Sequence, residues 1–305
     1  MLLIIIHHLY LKYEGMYSIP GVIAIIMTTL GVLGTGVFFL LSGYGMVKSL
    51  EKNIPISWGY GFKHIGKLID PIMFIFAILT IDYVIKNGWN TCVITRSILT
   101  MSLYGRLTFW FIDIILVLYV AMLVLSGISK DVKATVRIMS AMVLLWIILS
   151  SLVLSLPEYW FASVLCFSVG TIIAYKDEQI IQSLETIWGG AISVGSFVLL
   201  YVIVSLFRTA FVPENIRPYG VIPLMLATVA FALSLIWLAS RINMQNMVLK
   251  YIGINSLLFY IGHCVVARYC KGIATPPLFL ISQLLLTFVL TLIYNQVKKI
   301  KIFRE

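Results

Sequence analysis

Charge is what this sequence has least of. Aspartate, glutamate, lysine and arginine make up 11% of its 305 residues, and 61% are hydrophobic; an average soluble domain is about 25% charged. A soluble chain of this length is thereby excluded, because its interior could not hold so much apolar surface, whereas lipid accepts it. The net charge of +10 has no basic arm or stripe behind it. Lys and Arg fall mostly between apolar runs, as in loops held at a cytoplasmic face, so no nucleic-acid partner is expected. Cysteine is almost as scarce. Cys92, Cys166, Cys264 and Cys270 show no two-residue spacing, so they read as small apolar side chains and not as a metal knuckle or disulfide framework. Internal repeats and low-complexity tracts are missing as well. No connection much exceeds about twenty residues, too few to fold alone, so any chemistry must lie in the helices or their short loops.

What the chain does have is long apolar runs. With polar punctuation between them they fall at about 1–13, 21–47, 68–85, 107–126, 138–156, 159–175, 187–207, 219–239, 252–268 and 277–297. All but the first reach the roughly 20 residues a spanning helix needs, with Pro157 and Glu158 dividing 138–175 into two. The expected fold is all-α: a polytopic membrane helix bundle of about ten transmembrane helices in one domain, residues 1–305. If the amino terminus is cytoplasmic, the 22 Lys and Arg divide fourteen inside to eight outside, favouring both termini inside. The first run, MLLIIIHHLYLKY, would span only about 20 Å at 1.5 Å per residue, against a hydrocarbon core of about 30 Å. It has no basic residues ahead of it and no signal-peptide cleavage pattern. The expectation is that Met1 lies inside a longer first helix.

Ionisable groups at membrane depth are costly and therefore functional candidates. His7 and His8 are adjacent in the first run. On a helix they point about 100° apart, so one of them at most faces a given spot; the plain alternative is that one rests at the outer interface. A neutral imidazole can act as a base near neutral pH without a permanent buried charge. The second run contains LGTGVFFLLSGYGM. Gly34, Gly36, Gly43 and Gly45 suit close helix packing, while Ser42 and Tyr44 add hydroxyls able to meet a polar substrate.

His8, followed after some thirty residues by Gly36-Val37-Phe38-Phe39-Leu40-Leu41-Ser42-Gly43-Tyr44, resembles the membrane-bound acyltransferase type 3 family. That family's pattern is an apolar helix ending in His, then G-x-x-F-F-x-x-S-G-[FY]. Its next features are a basic cluster leading to proline, matched by Lys63-His64-Ile65-Gly66-Lys67 before Pro71, and a Trp-Phe pair, matched by Trp110-Phe111. A late Gly-x-x-Ser stretch followed by Tyr and His is matched by Gly253, Ser256, Tyr260 and His263.

The resemblance implies transfer of an acyl group, usually acetyl, from acetyl-CoA to a hydroxyl of a surface glycan or lipid-linked carbohydrate. Acetyl-CoA would be a donor, not a resident cofactor, with no metal. The setting would be the inner (plasma) membrane of a bacterium, among membrane lipids. His8 takes the family's histidine position as general base, with His7 its packing neighbour; a covalent acyl-histidine stays open. Lys63 and Lys67, four apart, share a helix face and would hold coenzyme A phosphates as point charges, or simply anchor the loop. Trp110 and Asp113 share a face at three-residue spacing, and Asp113 would pair with His8, Arg106 or a sugar hydroxyl. His263 would contact substrate or rest at the interface beside Arg268. A narrow channel lined by His8, Ser42, Tyr44 and Trp110 would carry the acyl group inward to outward. The family also has a basic residue eleven positions before its histidine, about 16 Å away on the same face; that position falls ahead of Met1. The rival reading is a transporter or lipid-glycan flippase without covalent chemistry, which predicts paired broken helices in two related halves.

Overall fold

In lipid every backbone N–H and C=O must be satisfied within the protein, and this chain does so with helices. The computed structural model describes residues 1–14, 21–52, 58–99, 110–129, 131–208, 217–242, 246–273 and 275–299; no strand occurs among them. In chain order the α-helices are α1 (Leu2–Tyr13), α2 (Gly21–Glu51), α3 (Trp58–Asn87), α4 (Thr91–Leu99), α5 (Trp110–Ser129), α6 (Val132–Ile148), α7 (Leu165–Tyr175), α8 (Asp177–Glu185), α9 (Ile187–Phe207), α10 (Val221–Arg241), α11 (Met247–Ile254), α12 (Ser256–Tyr269) and α13 (Pro276–Lys299). Eight stretches among them are long and apolar enough to cross a membrane, nine if α11 and α12 count as one bent span. The protein is an all-α polytopic membrane helix bundle. Its first helix is short, 12 residues.

Local chemistry explains where the helices depart from the apolar runs. α6 starts at Val132, ahead of its apolar run, because Asp131 caps it, accepting from the Lys133 and Ala134 amides at 3.1 and 3.0 Å. Its far end loosens into a π-helical turn, Leu149–Val153, followed by Ser155 at φ 49° and then Pro157. α3 continues through Pro71, although proline cannot donate to the Lys67 carbonyl. The run 252–268 is broken: Asn255 separates α11 from α12, which meet at 79°. Asn255 Nδ2 donates to the Tyr251 carbonyl at 2.8 Å, and Asn295 Nδ2 donates to both Asn255 Oδ1 and the Tyr251 hydroxyl at 3.1 Å. α4 and α8 are nine-residue helices outside the apolar runs.

The chain divides into two compact units. The first comprises Leu2–Trp58 and Val117–Met244, with α2 packed on α1, α6, α7 and α10. Glycines decide these contacts. A Cβ at Gly43 would overlap the Phe167 carbonyl oxygen of α7, and one at Gly170 of α7 would overlap the Leu40 carbonyl of α2. On other faces of α2, a Cβ at Gly34 would meet Ile4 of α1 at 2.7 Å, and one at Gly36 would overlap Thr228 of α10. Val32, Phe161, Ala162, Val204, Leu224 and Ala227 form the buried cluster here. The second unit comprises Gly59–Leu116 and Gln245–Glu305, with Met1. Within it α12 packs on α13, with Gly262 opposite Thr287 and Leu290.

Gly43→Ala must push apart two backbones that cannot yield. It is expected to lower the thermal midpoint of the detergent-purified protein by the equivalent of about 1–3 kcal/mol, the usual cost of overpacking. Gly45→Ala, with nothing within 4 Å, instead gains about 0.5–1 kcal/mol of helix propensity. Equal midpoints for the two variants would contradict the packing described.

Candidate functional site

The two adjacent histidines of α1 do different things. His7 lies over Gly31 of α2, where a Cβ would meet its Cδ2 at 2.6 Å. Its Nδ1 is 2.9 Å from the Met27 carbonyl. A carbonyl only accepts, so Nδ1 carries the proton and His7 is tied to α2. His8 is half-buried, its ring edge-on to that of His7 with centroids 5.4 Å apart. Their roughly 100° separation turns His8 to another face of α1.

In α2 the Ser-Gly-Tyr cluster is divided by helix geometry. Ser42 lies beside the Tyr119 hydroxyl on α5. Gly43 sits against α7. Tyr44 reaches Asp177, the first residue of α8, and donates to its carboxylate at 3.0 and 3.1 Å. Lys48, one turn on, bridges Asp177 and Glu51, each at 3.1 Å. The Tyr44 hydroxyl is therefore committed to a structural tie. Neither Asp177 nor Tyr119 is marked by the sequence pattern. Asp177 leaves one trace, a carboxylate opening a short amphipathic segment; Tyr119 leaves none.

The other unit holds the remaining candidates. Trp110 and Phe111 open α5 with rings edge-on at 6.2 Å. Phe111 meets Tyr260 at 5.0 Å, and Tyr260 meets His263 at 5.7 Å. Asp113 is half-buried and close enough to Tyr260 to interact with it electrostatically. His263 is fully buried. Its Nδ1 donates to the Phe259 carbonyl at 3.1 Å, and Cys264 Sγ lies 3.5 Å from Nε2. Gln283 on α13 donates to the His263 carbonyl at 3.0 Å. The Gln283 Oε1 and Thr287 Oγ1 atoms are buried without hydrogen-bond partners, which makes this seam unusually polar for a helix pair in lipid. Lys67 is exposed on α3. The side chains of Lys63 and Arg268, and all of Arg106, lie outside the described residues. Thus His8, Ser42 and Tyr44 belong to one unit and Lys63, Lys67, Trp110, Asp113 and His263 to the other.

The chain is thus a multi-pass helix bundle with two histidines in α1 and one fully buried in α12. The acyltransferase domain family matches residues 1–295, and the chain belongs to that family, the type 3 acyltransferases. It is a membrane acyltransferase. Neither the curated proteins nor the solved structures contain a significant match.

If Tyr44 is committed to Asp177, the two must be energetically coupled. A double-mutant cycle with Tyr44→Phe and Asp177→Asn should give a coupling of about 1 kcal/mol, below the roughly 1.5–3 kcal/mol of a hydrogen bond to a charged group because Asp177 is partly exposed. Thermal unfolding in detergent measures it; additive effects would show that Tyr44 does not depend on Asp177.

Proposed function

We propose that the protein transfers an acetyl or other short acyl group from acetyl-CoA to a hydroxyl of a cell-surface or lipid-linked carbohydrate, with His8 as the general base. The observation that carries this reading is His8 itself: a half-buried histidine in the apolar helix α1, within the matched family region, beside a neighbour whose own ring is tied to α2. His8 takes the proton from the acceptor hydroxyl as its oxygen attacks the thioester carbonyl. The new C–O bond forms, the C–S bond breaks, and the coenzyme A thiolate leaves and is protonated. An imidazole serves this step because its charge changes near neutral pH. Trp110, Asp113 and His263 would contact substrate, and Lys63 with Lys67 would hold the donor's phosphates at the cytoplasmic face. The enzyme would sit in the plasma membrane of a bacterium with both termini cytoplasmic, consistent with the fourteen-to-eight division of its basic residues. The transporter reading looks for paired broken helices; among the described residues one bent pair occurs, α11 with α12.

Transfer of radiolabel from [14C]acetyl-CoA by membranes carrying the full chain tests the role of His8. His8→Ala should lower transfer by about 10²–10⁴-fold, the usual contribution of a general base. His7→Ala, which removes only a packing tie, should leave most of it. Undiminished transfer by His8→Ala would defeat the assignment.

A further inference from the structure

We infer that a cavity at one end of the α2 unit binds the acceptor and selects a carbohydrate ring without negative charge; this rests on the acyltransferase reading above. The cavity, about 410 Å³ in volume, is of the size that takes a small ligand. It lies where α1 ends, α2 begins, α9 ends and α10 begins, with Glu158 contributed from the turn after Pro157. Under the proposed orientation this end faces outward. His8 is six residues before Glu14, about 9 Å along the α1 axis.

The lining is built for hydroxyl groups. Tyr10 and Phe207 are its aromatic members, and Glu14, Thr28, Glu158 and Arg208 its polar ones. Tyr10 donates to Glu14 at 3.4 Å, and Thr28 donates to the Ile25 carbonyl at 3.0 Å, which leaves its oxygen able to accept. Arg208 donates to Glu158. Both carboxylates can therefore take further hydroxyl protons, and the guanidinium retains donors. Charge sets the selectivity. Among the described lining residues two carboxylates face one guanidinium, and that guanidinium is already paired. A sugar acid or phosphate would meet net like charge, whereas a neutral ring would not.

The test uses the full chain in lipid nanodiscs, free of sugar detergents, with p-nitrophenyl β-glucoside and p-nitrophenyl β-glucuronide as probes. These share a ring and differ by one carboxylate. The glucoside should raise the thermal midpoint and bind at least about tenfold tighter than the glucuronide. Glu14→Gln, which neutralises an exposed side chain without touching the core, should narrow that ratio. Thr28→Ala should weaken the glucoside. Equal binding of both probes, binding of neither, or a ratio unmoved by Glu14→Gln overturns the proposal. Acetyl transfer from [14C]acetyl-CoA, measured in the same preparations, separates the two readings. Transfer without glycoside binding removes the site alone; glycoside binding without transfer removes the acyltransferase mechanism and leaves the site.

Discussion

The crossing of α2 and α7 holds the first unit together, and it is a contact between backbones. Helices in lipid gain nothing from hiding apolar surface from one another, so they depend on close packing and on interhelical hydrogen bonds. Here Gly43 admits the Phe167 carbonyl and Gly170 admits the Leu40 carbonyl, each glycine opposite the partner helix's main chain. The same α2 carries Gly31 and Gly34 towards α1 and Gly36 towards α10. Position on α2 therefore fixes α1, and α1 carries both histidines. His7 in turn fills the space over Gly31 and bonds the Met27 carbonyl. The orientation of His8 is a consequence of glycine placement one helix away.

Scarcity of charge shapes the rest. Most hydroxyls buried in the helices return their protons to their own helix, as Thr35 does to Gly31, Thr228 to Leu224 and Thr291 to Thr287. This satisfies them locally and leaves them little chemical use. Ion pairs gather near helix ends, Lys48 with Asp177 and Arg208 with Glu158. Against that background the exceptions stand out: His8, Asp113, His263 and the half-satisfied Gln283 are polar groups placed where lipid makes them costly.

The long spans were legible because hydropathy over twenty residues is a strong signal, and 187–207 coincides with α9. Features that depend on a partner were not. The 79° break at Asn255 sits inside an apolar run whose composition gives no warning, since the tie from Asn295 comes from forty residues away. α8 is too short and too polar for a hydropathy window, yet its first residue holds Tyr44. Neighbour spacing separates His7 from His8, and the fold agrees to the extent that His7 bonds the Met27 carbonyl of α2. The Tyr44 hydroxyl, which the sequence offers to a polar substrate, donates to Asp177 across 133 positions of sequence, a tie that only the fold reveals. His263, one of the sequence candidates, lies fully buried, and its Nδ1 bonds the Phe259 carbonyl of its own helix.

The most direct measurement of the central claim, that His8 moves acyl groups onto carbohydrate, is the ester content of surface glycans. Cells carrying the full chain, its His8→Ala variant or neither would be compared for alkali-labile acetyl groups. The account predicts esters in the first and their loss in the other two. Equal ester content in all three, with the protein present in the membrane, would contradict it.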